Sequence, residues 1–132
     1  MTWTREAVAA RVREAWDTLR RVPAQSVPGF RTSWPDMVRD TFDAYGYTQA
    51  AVRLAPAAPA SIDRMHETFG WFVHLAGEAH LTKAVWLCAG AGMGPTRAGA
   101  MLGVHRDTLR GRRDEGLDRI AEALNRSAMR AA

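Results

Sequence analysis

Residues 94–113 read GPTRAGAMLGVHRDTLRGRR, and their pattern sets the expected fold. Pro95 suits the first position of a helix, where its missing N–H would have no partner anyway. Gly99 is small at a point where two helices are expected to cross closely, and Leu102 is expected to face the core. Gly103 can take the left-handed conformation that ends a helix without Cβ strain. Val104 fills the turn, and Leu109 returns to the core at the start of a second helix that carries Arg106, Arg110, Arg112 and Arg113. A short helix, a glycine turn and an arginine-rich helix together have the sequence form of a helix-turn-helix. That motif lays its second helix in the major groove of duplex DNA.

Outward from this stretch, the apolar residues keep a helical period. Thr4 is the expected N-cap of a first helix, with Trp3 and Val8 placed as a hydrophobic staple. Val8, Val12, Ala15, Trp16 and Leu19 share one face, Arg5, Arg11, Arg13 and Arg20 point elsewhere, and Pro23 stops the helix. Residues 22–33 read as a loop. Ser33, Pro35 and Asp36 open a second helix, expected to run to about Tyr45 before Gly46. Residues 47–60 are either a short helix or an extended strip, broken by APAAPA. Ser61 or its neighbours open a third helix with Ile62, Met65, Phe69, Phe72 and Ala76 on one stripe, closed by Gly77. Thr82 is the expected cap of a fourth, mostly apolar helix ending in the glycines 90, 92 and 94. The last helix is expected over Arg106 to Leu124, with Leu109, Gly116, Leu117, Ile120 and Leu124 inward.

No alternating strand pattern is present, so the expected class is all-α, with five to six helices and a C-terminal helix-turn-helix. The 132 residues, 47% of them apolar and 24% charged, suit one compact domain with a real core. Within it, residues 1–80 are expected as a helical region for folding support, dimerisation or partner binding. Residues 81–126 form the helix-turn-helix region and residues 127–132 a flexible tail. The single cysteine excludes an internal disulfide. No signal-like or membrane-spanning apolar run is present, so a cytoplasmic protein is expected, with no membrane association.

The charge is unevenly placed. Residues 1–80 hold nine arginines and nine carboxylates, whereas residues 81–132 hold Lys83 and eight arginines against five carboxylates, so the whole net charge of +4 lies in the C-terminal part. An excess that coincides with the helix-turn-helix pattern points to phosphate attraction and to double-stranded DNA as the partner. The base-reading candidates are His105, Arg106, Asp107 and Arg110, in the first two turns of the second helix. An arginine can donate two hydrogen bonds to guanine, and an aspartate can accept one from cytosine N4. Thr108 is a candidate for a phosphate contact or a local cap. Arg97 and Arg112 are candidates for backbone contacts that fix orientation. Arg113 falls close to the inner face, where its stem packs and its head snorkels outward. Asp114 and Asp118 are expected outward, repelling phosphates and ending the footprint about two turns into the helix.

From Leu81 to Leu124 the chain resembles the C-terminal helix-turn-helix of sigma-factor region four: an apolar helix, a glycine turn, a small-residue helix, Leu-Gly-Val and a long final helix. Over nearly its full length it is similar to a phage and prophage helix-turn-helix protein family, through WTREAVAARVREAW, APASIDRM and LGVHRDTL. This resemblance implies a mobile-element DNA-binding protein. Three positions depart from the pattern. His105 stands in place of a capping serine, Gly111 in place of a bulky residue, and Gly99 in place of an alanine, a change expected to be tolerated sterically at some loss of helix propensity.

Other constellations point to no enzyme, catalytic residue, metal or cofactor. His66, His74 and His80 match no ligand spacing. Cys88 sits on an apolar helix as a buried thiol. GAGMG at 90–94 follows a helix rather than a strand and lacks the Lys-Ser/Thr of a P-loop. The five tryptophans anchor a core more simply than they line an effector pocket. Transcriptional regulation is therefore the first expectation, with a homodimer or higher oligomer compatible with it. The alternatives are a small-terminase-like DNA-packaging subunit and a protein-interaction module whose helix-turn-helix meets no DNA.

Overall fold

The computed structural model describes residues 2–22, 34–41 and 56–131. The chain is all-α, with six helices and no strand among the described residues. Helix α1 spans Arg5–Arg20 and α2 covers residues 36–41. Helix α3, Pro59–Trp71, continues into a 3-10 turn over Phe72–Leu75, and α4, Ala79–Val85, into a π-helical turn over Trp86–Gly90. Helices α5, Pro95–Leu102, and α6, Arg106–Ala131, follow. Residues 23–33, with Pro23 and Ser33, and the stretch from Tyr45 through Gly46 to residue 55 lie outside the described residues.

Helix α1 forms as its sequence dictates. The Thr4 side chain accepts the Ala7 N–H at 3.1 Å, satisfying one of the first-turn donors. Val8, Val12, Ala15, Trp16 and Leu19 are all buried. Trp3 lies edge-on to Trp71, with ring centroids 4.9 Å apart. Its backbone N–H and carbonyl both bond the Asn125 side chain, at 2.7 and 3.0 Å. That pair of bonds ties the chain's beginning to the far half of α6.

Four expectations are corrected. Helix α3 begins with Pro59 at its first turn and has no side-chain cap, so Ser61 lies inside it. Its apolar stripe ends on Phe72 and Leu75, while Ala76 is exposed, because the 3-10 turn rotates the face by its tighter winding. Thr82 lies within α4, which starts at Ala79. The tail expected to be flexible is instead helical to Ala131. Good helix formers there lengthen α6 by two turns beyond Leu124, although Met129 and its neighbours remain exposed.

The core does not respect the boundary drawn at residue 80. A single buried cluster joins Val8, Val12 and Trp16 of α1, Met65 and Phe69 of α3, Leu81 and Val85 of α4, Trp86, and Leu117 and Ile120 of α6. Trp86 is fully buried at its centre, with rings 4.9 Å from Trp16, 5.8 Å from Phe69 and 6.3 Å from Phe72. Its indole N–H donates to Thr41 Oγ1 at 3.0 Å, so this large side chain is buried without an unsatisfied donor. Trp34 donates in the same way to His66 Nδ1 at 3.3 Å. Burial holds the His66 pKa below the ordinary imidazole range, against the opposing pull of Asp63. A smaller cluster of Ala84, Leu87, Ala98 and Leu109 seats α5 and the start of α6 on α4.

Three arginines of α1 are joined to other elements rather than merely solvated. Arg5 makes a two-pronged bond to Asp118 at 2.9 and 2.8 Å and lies 3.5 Å from Asp114. Arg11 lies over the Trp71 ring at 4.8 Å and reaches Glu67 at 3.2 Å. Arg13 donates to the Gly90 carbonyl at 2.9 Å. The hydrogen bond from Arg5 holds the Asp118 carboxyl below the usual carboxylate range. A depressed folded-state pKa contributes stability above the unfolded value, and that contribution is lost as pH falls through the folded one. Thermal melts of the wild type and Asp118→Asn should therefore differ most near neutrality and converge as the pH drops below the ordinary carboxylate value.

Candidate nucleic-acid interface

Helices α5 and α6 meet through a three-residue turn, Gly103, Val104 and His105. Gly103 adopts φ +71°, a left-handed conformation that favours glycine. The Gly103 and Val104 N–H groups both donate to the Gly99 carbonyl, the latter at 2.9 Å, which closes α5 in a Schellman-like manner. The approach is so close that a Cβ on Gly99 would stand 2.6 Å from the Val104 carbonyl oxygen. The small residue expected at this close crossing is thus needed there, since the obstacle is backbone and cannot rotate away.

Helix α6 opens with an unusual cap. His105 Nδ1 accepts the Asp107 N–H at 3.1 Å, the role that a serine or aspartate oxygen commonly takes. The Leu109 N–H bonds the His105 carbonyl at 3.0 Å, and the Leu109 side chain is fully buried. That anchor turns the opposite side of the first two turns toward solvent. The side chains of Arg106, Asp107 and Arg110 are 59%, 70% and 53% exposed, and His105 and Thr108 are exposed beside them.

Asp107 stands at the middle of this set. Its carboxylate lies 4.0 Å from Arg106 Nε, 4.0 Å from Arg110 Nη1 and 3.6 Å from His105 Nδ1. Ion pairs this long and exposed contribute about 0–1 kcal/mol, so both guanidinium groups stay available to an external anion. Arg113 is only 28% exposed and bonds Asp114 at 3.0 Å. Arg112 is half-buried, and Arg97 is exposed on α5. Four of the eight candidate residues thus come together on one exposed turn, Thr108 adjoins them, and Arg97, Arg112 and Arg113 lie apart from that focus.

Asp114 and Asp118 do not stand free as expected, because Arg5 of α1 arrives against both. Sequence reasoning missed this pairing, since 113 residues separate Arg5 from Asp118. His105 was expected at the capping position in place of a serine, and what the sequence left open was that its ring nitrogen takes over the acceptor role.

Elsewhere, a cavity of about 1150 Å³ lies among α2, α3 and α4, lined by Trp34, Met37, Phe69 and Phe72 with Asp40 and Lys83. No group of three His, Cys, Asp or Glu side chains among the described residues is placed to hold a metal ion. Burial raises the Cys88 thiol pKa, against the opposing charge of Arg113. No helix among the described residues is long and apolar enough to cross a membrane. Residues 20–120 match the family model described as "Domain of unknown function (DUF6362)". No curated protein and no solved structure matches the chain.

The two glycines flanking this site respond to one substitution in opposite ways. Gly99→Ala should destabilise by about 1–3 kcal/mol, as overpacking does. A Cβ on Gly111 meets nothing within 4 Å, so Gly111→Ala should stabilise by about 1 kcal/mol through helix propensity alone. Chemical denaturation of the two variants, compared with wild type, checks both signs.

Proposed function

We propose that this chain, which belongs to the DUF6362 family, binds duplex DNA through the exposed first two turns of α6 and acts as a transcriptional regulator of the phage or prophage type. The observation that carries this reading is the solvent-facing set Arg106, Asp107 and Arg110, held on a helix that the buried Leu109 and the close Gly99 turn fix in place. Three further features support it. The net charge of +4 originates in residues 81–132. Several arginines of α1 are engaged inside the fold, whereas those of the α6 opening are left to attract phosphate. The exposed Gly111, with no contact from the described residues in the way, lets a backbone approach closely.

In this reading Arg110 and Arg106 face base edges, while Arg97, Arg112 and Thr108 fix the orientation on the phosphates. His105 keeps the helix start formed, and Arg113 braces Asp114. With about three to five phosphate contacts per protomer, log K for a random duplex should fall against log[salt] with a slope of roughly −3 to −4. Absence of binding at low salt would remove the reading. Arg110→Ala should weaken a selected sequence by about 1–3 kcal/mol more than a random one, as measured by fluorescence anisotropy. Equal loss on both would reduce Arg110 to a backbone contact.

A further inference from the structure

The placement of a carboxylate in the centre of the cationic turn calls for an account of its own. Asp107 is more exposed than either arginine beside it, and one of its oxygens lies 4.0 Å from each of their guanidiniums. Toward a polyanion, a negative charge at this spot lowers affinity. Its intramolecular benefits are limited to a favourable interaction with the N-terminal end of the α6 dipole and weak, solvated pairing.

We infer that Asp107 is a positioning residue that sets sequence preference: it holds Arg106 and Arg110 side by side so that their planar forks meet guanine edges, at the expense of affinity for arbitrary duplex. This inference rests on the duplex-binding reading of α6. A guanidinium reads guanine by two parallel N–H donors, which requires a defined fork orientation, whereas contact with a phosphate needs only charge. An exposed arginine samples many rotamers, and a carboxylate 4.0 Å from both guanidiniums biases that set modestly toward orientations that share it, before any base is met. The same carboxylate disfavours contact with phosphate alone, so the wrong register is penalised as well as the right one favoured. Gly111, four residues on from Asp107 and open to solvent, leaves room for the duplex to approach this face.

The test uses the full chain. Duplexes are selected from a random pool with the wild-type protein, and binding of the selected and random sequences is then compared for wild type and Asp107→Asn. The selected sites should contain guanine. The variant should bind random duplex severalfold more tightly, while the ratio of selected to random affinity falls by up to about fivefold. A thermal melt of the variant reads any loss from the helix terminus separately. If the carboxylate serves only the helix dipole, its removal will raise affinity equally on all sequences and leave the ratio unchanged, and that result would overturn the inference. So would wild-type binding that selects no sequence. Both outcomes leave duplex binding intact, whereas absence of wild-type binding at low salt would remove the parent reading together with the inference.

Discussion

The indole of Trp86 is the constraint around which the other elements are arranged. It is fully enclosed by rings from α1, α3 and the 3-10 turn, and its one polar atom is satisfied by Thr41 of α2. A side chain this large, buried in one orientation, leaves little freedom for the backbone that carries it. That backbone is a π-helical turn, in which the Ala91 N–H reaches back to the Trp86 carbonyl at 3.0 Å. The wider winding places consecutive residues in two different environments. Trp86 belongs to the main core, and Leu87 belongs to the smaller cluster that receives Ala98 of α5 and Leu109 of α6. The Met93 N–H then closes on the Leu87 carbonyl at 3.0 Å. The direction in which α5 leaves is therefore tied to how Trp86 packs, and the presentation of α6 depends on it in turn.

Arginine has two separate uses in this chain. In α1, Arg5, Arg11 and Arg13 reach carboxylates, an aromatic face and a backbone carbonyl on other elements. Near the start of α6, Arg106 and Arg110 have, among the described residues, only a distant, exposed carboxylate beside them. Chemical identity is the same in both cases; what differs is whether a neighbouring element supplies a partner. Arg5 marks the dividing line, since it engages Asp114 and Asp118 where α1 lies along α6. The exposed cationic turn ends where that packing begins.

Glycine shows a parallel division. Gly99 and Gly116 both sit where a Cβ would come within 2.6 Å of a neighbour: the turn backbone in one case and Val85 in the other. Those two positions let helices pack closely, α5 against the turn and α6 against α4. Gly111 on the same helix has open space around it among the described residues, so no close packing there calls for a glycine.

The helical period of the apolar residues was enough to specify an all-α fold, the inward face of α1, the inner residues of α6 and the turn at Gly103. These depend on local geometry and on solvent exclusion, both of which act over a few residues and leave a regular trace in the sequence. The exposed cluster at the opening of α6 was legible for the same reason, because burying Leu109 turns Arg106, Asp107 and Arg110 outward. The shared core across residue 80, the π turn, the 3-10 end of α3 and the Arg5 clamp on α6 were decided by tertiary packing alone. Each depends on groups brought together from distant positions or on a small change in helical winding that fits Trp86 among its neighbours, and neither leaves a periodic signal. At residue 99 the sequence indicated a close crossing, and the tertiary structure identified the Val104 carbonyl as the group that excludes a Cβ despite the helix propensity of alanine.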